Sequence, residues 1–198
     1  MMTTVKRVLR AGVLPGPIVP AIVAAVVTVL VAGLLAGCST TPSTKEAKDD
    51  LSRKAAAERQ QWTSLDPDIE PLVRKSQGFA FFPEILKGGV GVGGAYGRGV
   101  VYEQGQHIGY ADLTQGSLGL QLGGQSYSEL IVFADKAAMD RFKQGQIDFS
   151  ANASAVVAKT GAAKNVRFVD GVAIFVRPTA GAMGEAVVAG QRVTYAPK

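Results

Sequence analysis

The chain of 198 residues is 47% hydrophobic and 19% charged, with a formal net charge of +5, one histidine and one cysteine. One cysteine excludes an intramolecular disulfide and a thiolate metal cluster, and one histidine argues against zinc sites and histidine-based triads. The charge is not a nucleic-acid signature: Lys6, Arg7 and Arg10 precede Cys38 with no acidic residue among them, and the remaining 18 basic side chains stand against 16 acidic ones, a balance of +2, where a nucleic-acid binder concentrates positive charge on one face.

Residues 1–37 read as a targeting segment. A basic start is followed by an almost wholly apolar run from Ile18 to Leu35 and then Leu35-Ala36-Gly37-Cys38, the order of a secretory signal. The run is long enough to span a bilayer, so an uncleaved membrane anchor is the alternative. Leu-Ala-Gly-Cys resembles the lipobox of bacterial lipoproteins, in which the cysteine thiol receives a diacylglycerol and a peptidase cuts before it. The resemblance implies lipidation at Cys38 and a membrane partner held through it. Several acyl chains anchor stably where one does not, at ~0.8 kcal/mol per buried methylene. By resemblance to enterobacterial lipoproteins, in which an aspartate after the cysteine retains the protein in the inner membrane, Ser39 implies transfer to the outer membrane, facing the periplasm.

Residues 38–44 form a lipidated, flexible tether of small polar residues and proline. Lys45 to Gln61 is rich in strong helix formers, with Ala47, Leu51, Ala55 and Trp62 near one face. Trp62 suits either a membrane-interface anchor or packing of the helix onto a sheet, the latter being favoured. Asp66-Pro67 predicts the cap and first position of a second helix, with Ile69, Leu72 and Val73 buried and Gly78 as its terminator.

From Phe79 the helical period gives way to alternation and glycine. Phe79–Phe82 reads as a short strand ended by Pro83, and Val90–Tyr102 as a glycine-studded strand. Gln104-Gly105-Gln106 reads as a turn, and His107–Leu113, Ser117–Gln121 and Tyr127–Phe133 as further strands. Asp135 caps a helix to Gln144, with Met139 and Phe142 inward and Gly145 ending it. Phe149–Val157 alternates as a half-buried strand. Val166–Val169, Val172–Val176, and a hairpin of Ala186–Ala189 with Val193–Tyr195 complete the sheet. The expectation is an α+β fold: one β-rich domain of mainly antiparallel strands over residues 45–198, with N-terminal helices in 45–77, a glycine-rich β part in 78–198 and one internal helix.

Gly89-Val90-Gly91-Val92-Gly93-Gly94 satisfies G-x-G-x-x-G, but no helix begins after it and no P-loop lysine follows, so a nucleotide site is not expected. Glycines in a strand instead permit bulges and close approach of another backbone. His107 reads as a solvated edge histidine. Asp112, Glu129, Asp140, Asp148, Asp170 and Glu185 are scattered without a pairing that suggests acid–base work. The helical start and scarce aromatics argue against an outer-membrane barrel.

Phe82-Pro83-Glu84-Ile85-Leu86-Lys87-Gly88-Gly89, Gly93-Gly94-Ala95-Tyr96-Gly97-Arg98-Gly99 and Gln115-Gly116-Ser117-Leu118-Gly119-Leu120-Gln121-Leu122-Gly123-Gly124-Gln125 resemble motifs of the SYLF domain. Ala138-Met139-Asp140-Arg141-Phe142 and Gly181-Ala182-Met183 are similar too. Eukaryotic SYLF proteins bind phosphoinositide membranes and actin filaments, the former largely through a basic amphipathic N-terminal helix. Here Lys45, Lys48, Arg53, Lys54 and Arg59 alternate with Glu46, Asp49, Asp50 and Glu58, so that helix is nearly neutral, and a periplasmic address excludes actin. The resemblance implies a fold and a lipid-binding tendency rather than an activity.

The expected function is therefore that of an outer-membrane-anchored, non-enzymatic lipoprotein that binds anionic phospholipid or a similar amphiphile. The alternative is an envelope structural protein with another envelope protein as partner. Glu84, Lys87 and Arg98 are the candidate ligand contacts, and no metal, cofactor or nucleic acid is expected.

Overall fold

The computed structural model describes residues 42–147, 155–180 and 190–198, with backbone alone for 90–92, 117–123 and 155. Cys38, most of the predicted strand before Ala155 and the predicted strand Ala186–Ala189 lie outside the described residues.

Helix α1 (Lys45–Leu65) begins at Thr44, whose side chain accepts the Ala47 N–H, satisfying one of the first-turn donors that a helix leaves open. Its charges pair along the surface: Lys45 with Asp49, and Arg53 and Lys54 with Asp50. Such exposed pairs contribute little to stability, because solvent and salt screen them. Docking comes from the opposite face, where Leu51, Ala55 and Trp62 are buried. Helix α2 (Ile69–Lys75) follows and buries Ile69 and Val73.

Asp66 does not begin that second helix. It is the C-terminal cap residue of α1, and its buried carboxylate accepts the N–H groups of Asp68 at 3.3 Å, Gly161 at 3.2 Å and Ala163 at 2.8 Å. Nor does Gly78 end α2, which stops at Lys75; Gly78 opens the first strand.

The β part is dominated by one long antiparallel hairpin, β1 (Gly78–Glu103) with β2 (Gln106–Phe133). Its two-residue connection, Gln104-Gly105, has φ of 48° and 78°, the mirror-image turn that matches strand twist. Pro83 does not end a strand. Phe82 pairs with Glu129 and Ile85 with Tyr127, so Pro83 and Glu84 together face Ser128 in a β-bulge. A bulge is where a residue lacking an N–H fits inside a sheet. A second irregularity between Gly89 and Gly91 interrupts the hairpin midway.

β1 then passes over itself. A Cβ built on Gly97 would lie 2.5 Å from Ile85 Cγ1 and 2.9 Å from the Glu84 carbonyl oxygen, and one on Gly99 would lie 2.8 Å from the Phe81 oxygen. These glycines are required for close backbone approach, as expected from their place in a strand.

Helix α3 (Lys136–Lys143) follows β2 as predicted. Asp135 accepts the Ala138 N–H at 2.8 Å, Met139 and Phe142 are buried, and Gly145 takes a φ of 68°. Beyond it come β3 (Ala155–Val157), a 3-10 turn at Ala163–Asn165, β4 (Val172–Ala180) and β5 (Gln191–Pro197). The predicted strand Val166–Val169 is not one: only Val169 bridges, to Val172.

The five strands among the described residues form one sheet, ordered β1-β2-β4-β3, with β5 on the first half of β2. All pairings are antiparallel except β3 with β4. The fold is α+β and β-rich. Alternation along the strands divides the apolar side chains into two cores. One gathers Phe82, Ile85, Leu113, Ile131, Phe133 and Val193 with Met139 and Phe142 of α3. The other gathers Phe79, Phe81, Val100, Leu130 and Phe175 beneath Leu51, Trp62, Ile69 and Val73 of the two N-terminal helices.

Candidate functional site: a surface groove beside α1 and a buried carboxyl in the sheet

Glu84 and Lys87 lie on β1, in the stretch between the two strands predicted there, and Arg98 lies on β1 within the predicted strand Val90–Tyr102. Alternation after the bulge sends Glu84 and Leu86 outward while Ile85 and Lys87 turn inward, where Lys87 is only 8% exposed. Glu84 and Arg98 meet in one open groove of about 230 Å³, lined also by Pro42, Leu51, Lys54, Leu86 and Tyr96. Lys87 lies apart, in a neighbouring depression with Gly124, Gln125 and Ser126. Two of the three candidates therefore share a surface and the third does not.

Arg98 is exposed; its Nε donates to the Tyr96 hydroxyl at 2.6 Å and its guanidinium lies 5.8 Å from the centre of that ring. No ion pair engages Arg98 among the described residues, whereas Asp50 across the groove is held by Arg53 at 3.2 Å and Lys54 at 3.1 Å. A planar guanidinium presents five donors, and those left free fit a phosphate or carboxylate.

The helix forming one wall of this groove is fastened from beneath. Trp62 is 1% exposed and packs edge-on against Phe81 at 5.8 Å. Its indole N–H donates to Ser128 Oγ at 2.8 Å and to Glu58 Oε1 at 3.1 Å. The Ser128 hydroxyl donates to the same Glu58 oxygen at 2.6 Å, as do Arg177 Nε at 2.8 Å and Arg177 Nη2. Glu58 is thus a junction between helix, β2 and β4, and Trp62 packs on the sheet rather than projecting toward a membrane interface.

His107 is half-buried rather than solvated. It stacks on Tyr102 at 5.2 Å and meets Tyr110 edge-on at 5.0 Å, and its Nε2 is 2.9 Å from the Gly109 carbonyl oxygen. Burial holds its pKa below the ordinary histidine value, against the opposing effect of that hydrogen bond.

In sequence Glu129 is one of several scattered carboxylates. The structure buries it completely beside Tyr127 and Gln191, on the side of the core that holds Ile131, Phe133 and Val193. Gln191 Nε2 donates to Glu129 Oε2 at 2.9 Å and to the Tyr127 hydroxyl oxygen at 3.5 Å, while Glu129 Oε1 and Gln191 Oε1 have no partner among the described residues. Burial pushes the Glu129 pKa up to about 8, the hydrogen bond from Gln191 opposing it, and burial with the nearby Glu129 raises Tyr127 as well. Desolvation thus favours the neutral acid at pH 7. The signal was present in the sequence: Glu129 shares strand parity with Tyr127, Ile131 and Phe133, and Gln191 with Val193 and Tyr195, all of which turn to the same core.

Chemically, the groove offers an exposed guanidinium, an aromatic rim and an exposed leucine, features of a binding surface. The buried acid lies in the core with Gln191 as its donor, and the histidine's Nε2 is engaged by a backbone carbonyl.

No curated protein matches the chain. The family model for Ysc84, described as Las17-binding protein actin regulator, matches residues 114–195. That segment begins in β2 and ends in β5, and so takes in α3, β3, β4 and the buried Glu129–Gln191 pair. The match includes the motif Gln115–Gln125 and agrees with the resemblance that motif carries: residues 114–195 are similar to the SYLF-type domain of the Ysc84 family.

Proposed function

We propose that the protein is a lipid-anchored, non-enzymatic module of the bacterial envelope, held at the outer membrane through Cys38, whose SYLF-type domain binds lipid or another anionic amphiphile. The observation that carries the reading is the order of basic residues, apolar run and Leu35-Ala36-Gly37-Cys38 ahead of a domain whose family is described by binding and regulation rather than by a reaction. The open groove with Arg98 and Leu86 supports it, because amphiphile headgroups are met by exposed cations beside apolar side chains.

Mass spectrometry of the protein purified from membranes tests the anchor: the N-terminal peptide begins at Cys38 and carries diacylglycerol. Co-sedimentation of the domain starting at Ser39 with phosphatidylglycerol vesicles tests the binding. Pelleting at low salt that weakens at high salt supports it, and absence of binding to any anionic vesicle at low salt refutes it. A second reading, a protein partner in the envelope, is favoured by Val157 on the edge strand β3, 46% exposed, and Val169, 50% exposed. Cross-linking in intact cells that recovers one envelope protein in place of phospholipid would support that reading over the first.

A further inference from the structure

The length of the tether limits which face of the domain can meet the bilayer. Three residues, and so four Cα–Cα steps, separate Cys38 from Pro42, and fully extended these steps reach at most about 14 Å. Pro42 is buried and lines the same groove as Leu86, Tyr96 and Arg98. The domain therefore leaves the tether at the groove. Helix α1 runs away from that point for 21 residues, about 31 Å at 1.5 Å per residue, twice the reach of the tether. Its far end, where Leu65 and Asp66 hold Thr160, Gly161 and Ala163, is thereby kept from an acylated Cys38.

The surface at the near end suits a bilayer. Leu86 is 58% exposed, more than any other large apolar side chain among the described residues. Arg98 stands beside it on the Tyr96 ring without a carboxylate partner among the described residues. Glu84 and Asp50 balance Arg98 and Lys54 around the groove, so net charge alone does not hold this surface to lipid; the apolar contact of Leu86 and the short tether do.

We propose that the groove rim, Leu86 with Tyr96 and Arg98, is the bilayer-facing surface of the domain, Leu86 entering the interfacial layer and Arg98 meeting lipid phosphate. This rests on the reading of Cys38 as the lipidated residue. Acylation blocks the one native thiol, so a cysteine introduced at an exposed position can be labelled alone. Full-length lipidated Leu86→Cys and Lys164→Cys proteins, each carrying an environment-sensitive fluorophore, are reconstituted in phosphatidylethanolamine–phosphatidylglycerol vesicles containing spin-labelled lipid. Lys164 is exposed on the 3-10 turn at the far end of α1.

The expected result is a blue-shifted label at position 86, quenched several-fold more than the label at 164. Equal quenching at both sites, or stronger quenching at 164, overturns the placement while leaving the anchor intact. Absence of diacylglycerol on Cys38 by mass spectrometry, or dye attached to Cys38, overturns the anchored reading itself and the placement with it.

Discussion

Replacing Glu129 by glutamine isolates the effect of burying an acid in the sheet. The folded-state pKa is raised from an ordinary 4.5 to about 8, so the folded state holds a proton that the unfolded chain releases first. The stabilisation of the protonated form is fully present below about pH 4.5, declines as pH rises and is lost above about pH 8. Each unit of displacement corresponds to about 1.4 kcal/mol, so the acid and alkaline limits differ by on the order of 5 kcal/mol, and by pH 7 about 3 kcal/mol has already gone. Glutamine keeps the shape and a donor but cannot ionise. Urea unfolding of both proteins between about pH 5 and pH 8.5 reads the difference: the native protein loses stability relative to Glu129→Gln with a slope approaching 1.4 kcal/mol per pH unit. His107, whose lowered pKa makes stability fall toward acid pH, is common to both and cancels. Parallel pH profiles for the two proteins would refute the reasoning.

Trp62→Ala is expected to cost about 3–5 kcal/mol, because a large buried ring is removed, and Trp62→Phe about 1–2 kcal/mol, because Ser128 and Glu58 lose a donor; thermal melts monitored by circular dichroism distinguish the two. Asp66→Ala strips an acceptor from the backbone N–H groups of Asp68, Gly161 and Ala163 and is expected to cost roughly 3 kcal/mol, with faster amide exchange at 161 and 163 as the local readout; Asp66→Asn retains part of the protection. Gly97→Val forces a Cβ against Ile85 and the Glu84 carbonyl and is expected to abolish accumulation of folded protein, whereas Gly116→Ala, with nothing within 4 Å of the added carbon, stays within about 0.5 kcal/mol of the native protein; soluble yield and melting temperature test both.

The local rules were legible where a neighbour in sequence supplies the chemistry. Asp135, Met139, Phe142 and Gly145 gave α3 its start, face and stop, and the turn at Gln104-Gly105 was readable from its residues. Misreadings arose where the partner is distant. Pro83 looked like a terminator because its tolerance comes from a bulge opposite Ser128, and Asp66 looked like a helix cap because its main acceptor work is for residues about 95 positions on. Of the candidate contacts, Glu84 and Arg98 line one groove, whereas the bulge reset strand parity and turned Lys87 to the other side, a shift that no local pattern announces. Glu129 was missed through reading carboxylates as pairs along the chain, when alternation with Tyr127, Ile131 and Phe133 already placed it inside.

The junction at Glu58 and the clamp at Asp66 also bear on the order in which the chain becomes structured. Their partners, Arg177 and Ala163, are 119 and 97 residues downstream, while the β1–β2 hairpin closes on neighbouring residues through a two-residue turn. Long-range contacts form late because closing large loops costs entropy before any contact offsets it. The fastenings of α1 at Glu58 and Asp66 thus form only when almost all of a chain synthesised or translocated from its N-terminus has emerged, whereas its packing on Phe79 and Phe81 of β1 needs only residues that follow closely.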